Sequence, residues 1–342
     1  MKRRTLLASL LAGTALAQNK KPYLTYERRE FTAPELKDAP DEWIDRSLAW
    51  VDDMLKEFPP AAHEHPVRRA ALIRLDDILH IESAPAKANI HSWFNRRMDK
   101  AAAEVAATLG GTRIWKLYND TFLVRTPGSS FVFDLVPGMP RSQAFRMPPS
   151  TLGVFVKASE ALFVSHWHND HANVEVGKMF FAAGKPVCGP NDIWREEPAL
   201  REKLTVPTRN PEDVLKVGKL RLRALPGHQG KTVINNINLV TTPEDFTFAQ
   251  TGDQSLDEDF AWMDTVYKRY NVDVLMPNCW TTDPLRMLKG FGPKLVLPGH
   301  ENEMAHTVDH REDWTQTYTR WEGAPVPVVT MAWGESIAYP AR

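Results

Sequence analysis

Hydrophobic positions along the chain fall into two regimes. From Asp41 they recur at helical spacing: Trp43, Ile44, Leu48, Val51 and Leu55 share one face, and Pro59-Pro60 ends the run. Pro66 opens a second helix with an apolar face of Ala70, Ala71, Leu72, Leu75, Ile78 and Leu79. A third is predicted over 87–109, with Ile90, Trp93, Phe94, Met98, Ala102 and Val105 inward and Gly110-Gly111 as its stop. From residue 112 the pattern becomes short and β-rich. Strands are predicted over 113–118, 121–125, 130–135, 161–165, 186–188, 219–225, 232–240, 245–250, 272–276 and 294–297. Helices are predicted over 173–183, 256–270, 284–289 and 308–321. Strands first, then strands alternating with helices, predict a two-sheet sandwich flanked by helices, spanning 112–342. Residues 18–111 form a helical appendage expected to pack on it, after an extended lead-in over 18–40. The Pro/Met/Arg loop over 137–149 is a candidate pocket rim.

Composition narrows the setting. A chain of 342 residues with 43% hydrophobic content supports one large domain and an appendage. A formal net charge of −1 argues against nucleic acid as a partner. No internal stretch is apolar for long enough to span a bilayer. Lys2, Arg3 and Arg4 precede an apolar run to Ala17 that ends in Ala15-Leu16-Ala17. Residues 1–17 therefore read as a signal peptide of the twin-arginine or general secretory kind, giving a periplasmic or secreted chain with no membrane anchor after cleavage. Cys188 and Cys279 follow strand-like runs and read as buried free thiols.

Candidate chemistry concentrates in Ser165-His166-Trp167-His168-Asn169-Asp170-His171, a loop between a strand and a helix. Imidazole and carboxylate are ligands for zinc-like ions. His166 and His168 alternate on extended backbone and can point the same way, while Asp170 and His171 follow where the chain turns. One loop can thus serve two metal ions. Pro226-Gly227-His228, Thr251-Gly252-Asp253 and Pro298-Gly299-His300 each follow a strand-like run, at a predicted strand end. Trp167 is a candidate substrate contact, as are Asn278 and Trp280, which follow another strand. Glu301 and Glu303 could orient a ligand histidine or be solvated. His306 and His310, four apart on a predicted helix, suit support of the ligands or packing better than a third metal site.

The order His-x-His-x-Asp-His, then His, Asp and His at strand ends, resembles the metallo-β-lactamase superfamily over residues 112–340. The resemblance implies an α/β fold, the αββα sandwich. It implies a first metal on His166, His168 and His228, a second on Asp170, His171 and His300, and Asp253 as the bridge. Asp170 and Asp253 are the residues to which catalysis is assigned. True β-lactamases of the family place cysteine or serine where Asp253 stands, which favours its wider hydrolases. Diiron oxygen reductases of the family replace the second histidine by glutamate, and here it is His168. The expected activity is a hydrolase that cleaves an ester, lactone or phosphodiester of a small-molecule substrate, using a hydroxide bridged by two divalent metal ions. Zinc is the expected metal, with manganese or iron as alternatives. A β-lactam hydrolase, a mononuclear iron dioxygenase and a non-catalytic metal-binding protein are the other readings.

Overall fold

The computed structural model describes residues 39–107, 110–139 and 145–340. The leader read in residues 1–17 and most of the lead-in after it lie outside the described residues. The predicted helices form as α1 (Asp41–Glu57), α2 (Pro66–Leu79) and α3 (Ala88–Ala106). Ile44, Leu48, Val51 and Leu55 make the buried face of α1, as their spacing requires. Trp43 is only half-buried and Ala70 is exposed, so the inward faces are narrower than predicted. His65 caps α2: its Nδ1 accepts from the Val67 amide at 3.2 Å, and its ring stacks on Phe58 at 4.0 Å.

The strands and helices that follow are β1 (Thr112–Lys116), β2 (Phe122–Arg125), β3 (Ser130–Phe133), α4 (Pro149–Ala158), β4 (Leu162–Phe163), α5 (Val174–Ala182) and β5 (Val187–Cys188). Next come α6 (Pro198–Arg201), β6 (Leu215–Val217), β7 (Leu220–Gln229), β8 (Val233–Thr241), β9 (Thr247–Gln250) and α7 (Phe260–Met263). The chain closes with β10 (Val274–Met276), α8 (Pro284–Phe291), β11 (Leu295–Val296), α9 (Trp314–Arg320) and β12 (Glu335–Tyr339). They build two six-stranded sheets, ordered β12-β1-β2-β3-β4-β5 and β11-β10-β9-β8-β7-β6.

Strand alternation decides the layers. In the first sheet Ile114, Phe122, Val124, Phe131 and Phe163 face inward, against Leu220, Leu222, Val240 and Phe248 of the second. Phe131 and Phe248 meet edge to face across the seam, 5.8 Å between ring centres. The intervening Trp115 and Leu123 face outward and share a core with Trp93, Phe94 and Met98 of α3 and Leu72 and Leu75 of α2. The N-terminal helices are thus a full outer layer of the first sheet. On the other side Leu225, Ile237, Leu239 and Leu275 pack under Phe260, Met263, Met287 and Phe291 of α7 and α8. The order is helix, sheet, sheet, helix.

Several elements depart from the sequence reading. α4 and β12 were not predicted. α4 starts after Pro148 with Pro149 at its first position, and β12 is held by pairing with β1 rather than by a strong pattern of its own. The stretch over 256–270 is not one helix but two 3₁₀ turns, Asp257–Asp259 and Val266–Lys268, on either side of α7. The predicted last helix begins only at Trp314, because Asp313 caps there, accepting from the Gln316 amide at 2.5 Å. In the candidate rim loop, Phe145 and Met147 are buried in the outer core, with Phe145 stacked on Phe94 at 4.6 Å; residues 140–144 lie outside the described residues. Cys188 and Cys279 are buried free thiols.

The N-terminal layer is fastened by a buried ion pair. Arg68 of α2 meets Glu335 of β12 through Nη1–Oε1 at 2.9 Å and Nη2–Oε2 at 2.5 Å, and donates to the Thr330 carbonyl at 2.8 Å. Burial raises the Glu335 carboxyl, and Arg68 more than reverses this, holding it below its ordinary value. The stabilisation is therefore present above the unfolded-state pKa and lost as pH falls through the folded one. Glu335→Ala strands a buried guanidinium and is expected to lower unfolding stability by about 3–5 kcal/mol at neutral pH, read by urea titration. A loss below about 1 kcal/mol would show that the pair is not a structural fastening.

Candidate metal centre

Three strand ends converge at one edge of the sandwich. After β4 the chain turns tightly, with the His171 and Ala172 amides donating to the His168 carbonyl at 3.0 and 2.7 Å. Asp134, just past β3, holds the start of that loop: Oδ1 accepts from the Ser165 amide at 2.7 Å and Oδ2 from its hydroxyl at 2.6 Å. Asn173 then caps α5, accepting from the Val176 amide at 3.1 Å. After β9, Gly252 has φ +50°, and a Cβ there would collide with Ser165 and Asn235. Only glycine lets Asp253 turn into the seam at this point. After β11, His300 is itself left-handed at φ 71°, its amide donating to the Asn119 carbonyl at 3.3 Å. The Pro298-Gly299-His300-Glu301 turn is anchored by buried Lys116, which pairs with Glu301 and donates to the Pro298 carbonyl at 3.0 Å. Glu301 is therefore paired rather than solvated.

The donor atoms fall into two sets around one carboxylate. His166 Nε2 and His168 Nδ1 are 3.0 Å apart, and His166 Nε2 is 3.5 Å from Asp253 Oδ2. His171 Nε2 lies 3.4 Å from Asp170 Oδ2 and 3.3 Å from Asp253 Oδ1. His300 Nε2 lies 3.4 Å from Asp170 Oδ2 and 3.5 Å from Asp253 Oδ1. Ligands about 2.1 Å from a tetrahedral ion stand roughly 3.4 Å from one another, so these separations fit a divalent cation. His171 Nε2, Asp253 Oδ1 and both ring nitrogens of His300 are buried with no hydrogen-bond partner, as metal-seeking atoms would be. His171 is oriented by Asp134 Oδ2, 2.9 Å from Nδ1, which leaves the lone pair on Nε2.

His228 is placed differently. β7 runs on past the predicted strand end, and His228 lies within it. Its Nδ1 is 3.0 Å from the Asp259 carboxylate, which selects the tautomer with a lone pair on Nε2. Among the described residues, the convergent donor groups are His166/His171/Asp253, Asp170/His171/His300 and Asp120/Asp134/His171, none of which includes His228 or His168. Its neighbour Gln229 reaches Asp253 instead, Nε2 to Oδ2 at 2.9 Å. Asn278 is not on the rim: it is fully buried, and its amide donates to the carbonyls of Gly252 and Gln254 at 2.8 and 3.2 Å, fixing the Asp253 turn. Trp280 does face the site, edge-on to His300 at 5.9 Å. Trp167 stands outside the cavity lining, 36% exposed, between His168 at 4.4 Å and the Arg195 guanidinium at 5.2 Å.

A cavity of about 520 Å³ opens on the cluster, lined by His168, Asp170, Gln229, Asp253, Trp280 and His300. The rest of its lining is Ala305, His306, Thr307, His310 and Glu312, with the His306 ring 5.8 Å from that of His300. His306 and His310 do not share an α-helix: His310 ends a 3₁₀ turn, Val308–His310, that His306 precedes, and the His306 ring donates from Nδ1 to the His310 carbonyl at 3.1 Å. Asp134, Asp259, Asn119 and Gln229 were not singled out by the sequence. Asn119 donates to Asp170 Oδ2 at 3.2 Å. Asp134 lay inside the predicted strand over 130–135, whose observed counterpart β3 ends at Phe133, and neither it nor the others carry a local pattern.

The charges are strongly coupled. Burial drives the His166 imidazole well below its ordinary value, with nearby His171 adding to the effect. Burial also lowers His171, but Asp253, Asp170 and Asp134 more than reverse this, leaving it well above. His300 is raised to about 10, where burial again opposes and Asp253 and Asp170 prevail. Burial would raise Asp253, yet His171, His300 and His166 hold it below the usual carboxylate range. Metal-free protein near neutrality therefore carries protons on His171 and His300 that a cation must expel. Metal binding is expected to release about two protons and to tighten as pH rises from 6 to 8, read by calorimetry in buffers of different ionisation enthalpy. Affinity independent of pH over that range would contradict the assignment of these two ligands.

No protein-family model matches the sequence, and no curated protein matches it. Solved structures do share the architecture. Igni18, a metallo hydrolase from Ignicoccus hospitalis, is similar at 18% identity and a TM-score of 0.54, over 68% of this chain and 99% of that one. An isothiocyanate hydrolase from Delia radicum gut bacteria is similar at 13% identity and a TM-score of 0.51, over 67% of this chain and 100% of that one. CmlA, a diiron β-hydroxylase from Streptomyces venezuelae, is similar at 13% identity and a TM-score of 0.50, over 68% of this chain and 55% of that one. The two six-stranded sheets and their helical outer layers form the αββα sandwich that the sequence motif implied, and these solved structures share that fold.

Proposed function

We propose that this chain is a metal-dependent hydrolase that cleaves an ester, lactone or phosphodiester bond in a small molecule with a pair of divalent cations, zinc first among them. The observation that carries this reading is the orientation of Asp253, whose Oδ2 faces His166 while Oδ1 faces His171 and His300. One carboxylate with an oxygen toward each donor set suits a bridge. A divalent pair held there supplies Lewis acidity and a water acidified toward neutral pH.

The chain's own residues do the rest. His166 and His168 would serve one position, with Nε2 of His228 as its proposed third ligand. Asp170, His171 and His300 serve the other. Asp134 keeps His171 in the tautomer and orientation that a ligand needs. Trp280 closes one side of the cavity and excludes water near His300. No serine or cysteine nucleophile is needed, and buried Cys188, its thiol pushed up to about 12 by burial, is suited to none. Iron-based oxygen chemistry is the second reading, since CmlA is a diiron enzyme of similar fold.

The test pairs metal analysis with a panel of nitrophenyl esters, lactones and bis-nitrophenyl phosphate. Hydrolysis is expected, lost on chelation and restored by zinc. Asp253→Ala is expected to lower kcat/KM about 10³-fold, near 4 kcal/mol of transition-state stabilisation. Turnover unchanged in that variant, with two metals still bound, would remove Asp253 as the bridge. Iron as the bound metal, with no hydrolysis across the panel, would favour oxygen chemistry.

A further inference from the structure

One wall of the cavity is not held by the sandwich alone. It is the loop between Asn302 and Glu312, closed at its neck by the Asn302 amide donating to the Glu312 carbonyl at 2.6 Å. The residues that grip it come from the C-terminal half of α2. Asp76, fully buried, accepts four hydrogen bonds from the loop's two ends. Oδ1 accepts from Asn302 Nδ2 and the Trp314 amide, both at 2.9 Å. Oδ2 accepts from the Thr315 amide at 3.1 Å and its hydroxyl at 3.2 Å. One turn further on, the His80 ring spans from the Asp76 carbonyl at 2.9 Å to the Arg311 carbonyl at 2.6 Å. The Arg311 side chain returns the contact, donating from Nη1 to the Leu79 carbonyl and from Nη2 to the His306 carbonyl at 2.9 Å. His306 lines the cavity, and Arg311 and Asp76 do not.

We propose that α2 sets the width of the substrate cavity, with Asp76 and Arg311 as positioning residues that hold the wall bearing His306, Thr307 and His310 at its distance from the metal ligands. This deepens the hydrolase reading and rests on it for the effect on substrates. The geometry favours a positioning role over simple fastening for two reasons. The grip is made of directional hydrogen bonds, from the Asn302 side chain and the first two residues of α9 to Asp76 and from Arg311 to the Leu79 and His306 carbonyls, which fix where the wall stands. It also reaches the wall at both its neck and its middle. Loosening it frees a stretch of the cavity lining, 305–312, that carries none of the proposed metal ligands. Large and small acyl groups should then be told apart less well.

Asp76→Asn keeps the shape of the side chain but sets an amide NH₂ against donors that the carboxylate accepted. The expected result is unchanged metal content and exchange of the 303–312 backbone amides at least about tenfold faster by hydrogen–deuterium mass spectrometry. The kcat/KM ratio between nitrophenyl octanoate and nitrophenyl acetate should shift by about tenfold, carried by KM, with kcat for the acetate near wild type. Arg311→Lys, which leaves Asp76 intact but cannot span the Leu79 and His306 carbonyls together, is expected to move the same readouts and decides the matter if Asp76→Asn does not fold. Wild-type exchange over 303–312 with an unchanged substrate ratio overturns the proposal. If wild-type protein hydrolyses no ester, lactone or phosphodiester, the hydrolase reading fails separately, and the exchange rates alone decide whether α2 holds the wall.

Discussion

A carboxylate as deeply buried as that of Asp253 persists only where opposite charge or hydrogen-bond donors surround it, and three strand ends meet to surround this one. Much of the local structure follows from that requirement. Gly252 must be glycine so that Asp253 can turn inward between Ser165 and Asn235. Asn278 gives up any surface role to hold the carbonyls on either side of Asp253. Asp134 orients His171 through one oxygen and is itself held by Gln250 Nε2 at 2.6 Å and the Ser165 hydroxyl. The result is a cluster of acids and imidazoles in which several nitrogens and oxygens have no partner within the protein. Divalent cations are the partners whose charge, size and ligand preference suit such atoms.

The same edge of the sandwich explains why the cluster can also be reached by substrate. Asp170 and His168 keep partial exposure beside a cavity that His300 also lines, while His166 and His171 are buried outside its lining. One wall is built from a loop after β11 and is held by hydrogen bonds to a helix from the N-terminal part of the chain. Residues that sit far apart in sequence thus build one site between them. The strands carry the ligands, and the N-terminal layer shapes the space over them.

Legibility in the sequence tracked how local each feature is. The ligand loop could be read because His166, His168, Asp170 and His171 are neighbours on one turn, and the later stations because each follows an apolar run. Helices α1 to α3 were legible from the spacing of Ile44, Leu48 and Val51 and their counterparts. β12 was not, since its five residues owe their conformation to β1, more than two hundred positions away. Nor was the break at Asp313, where a capping side chain outweighs a continuous helical pattern. Asn278 and His228 show the limit at the site. Their positions at predicted strand ends were read from pattern, but which way each side chain turns is set by Gly252, Gln254 and Asp259, contacts that no local spacing encodes.

The most direct measurement is X-ray absorption fine structure at the zinc edge of the protein loaded with zinc, together with the zinc content per chain. The account predicts two ions per chain in mixed imidazole and carboxylate coordination, with a metal–metal scattering path at about 3.5–4 Å. One ion per chain and no metal–metal path at saturation would contradict the shared carboxylate on which the reading of this site depends.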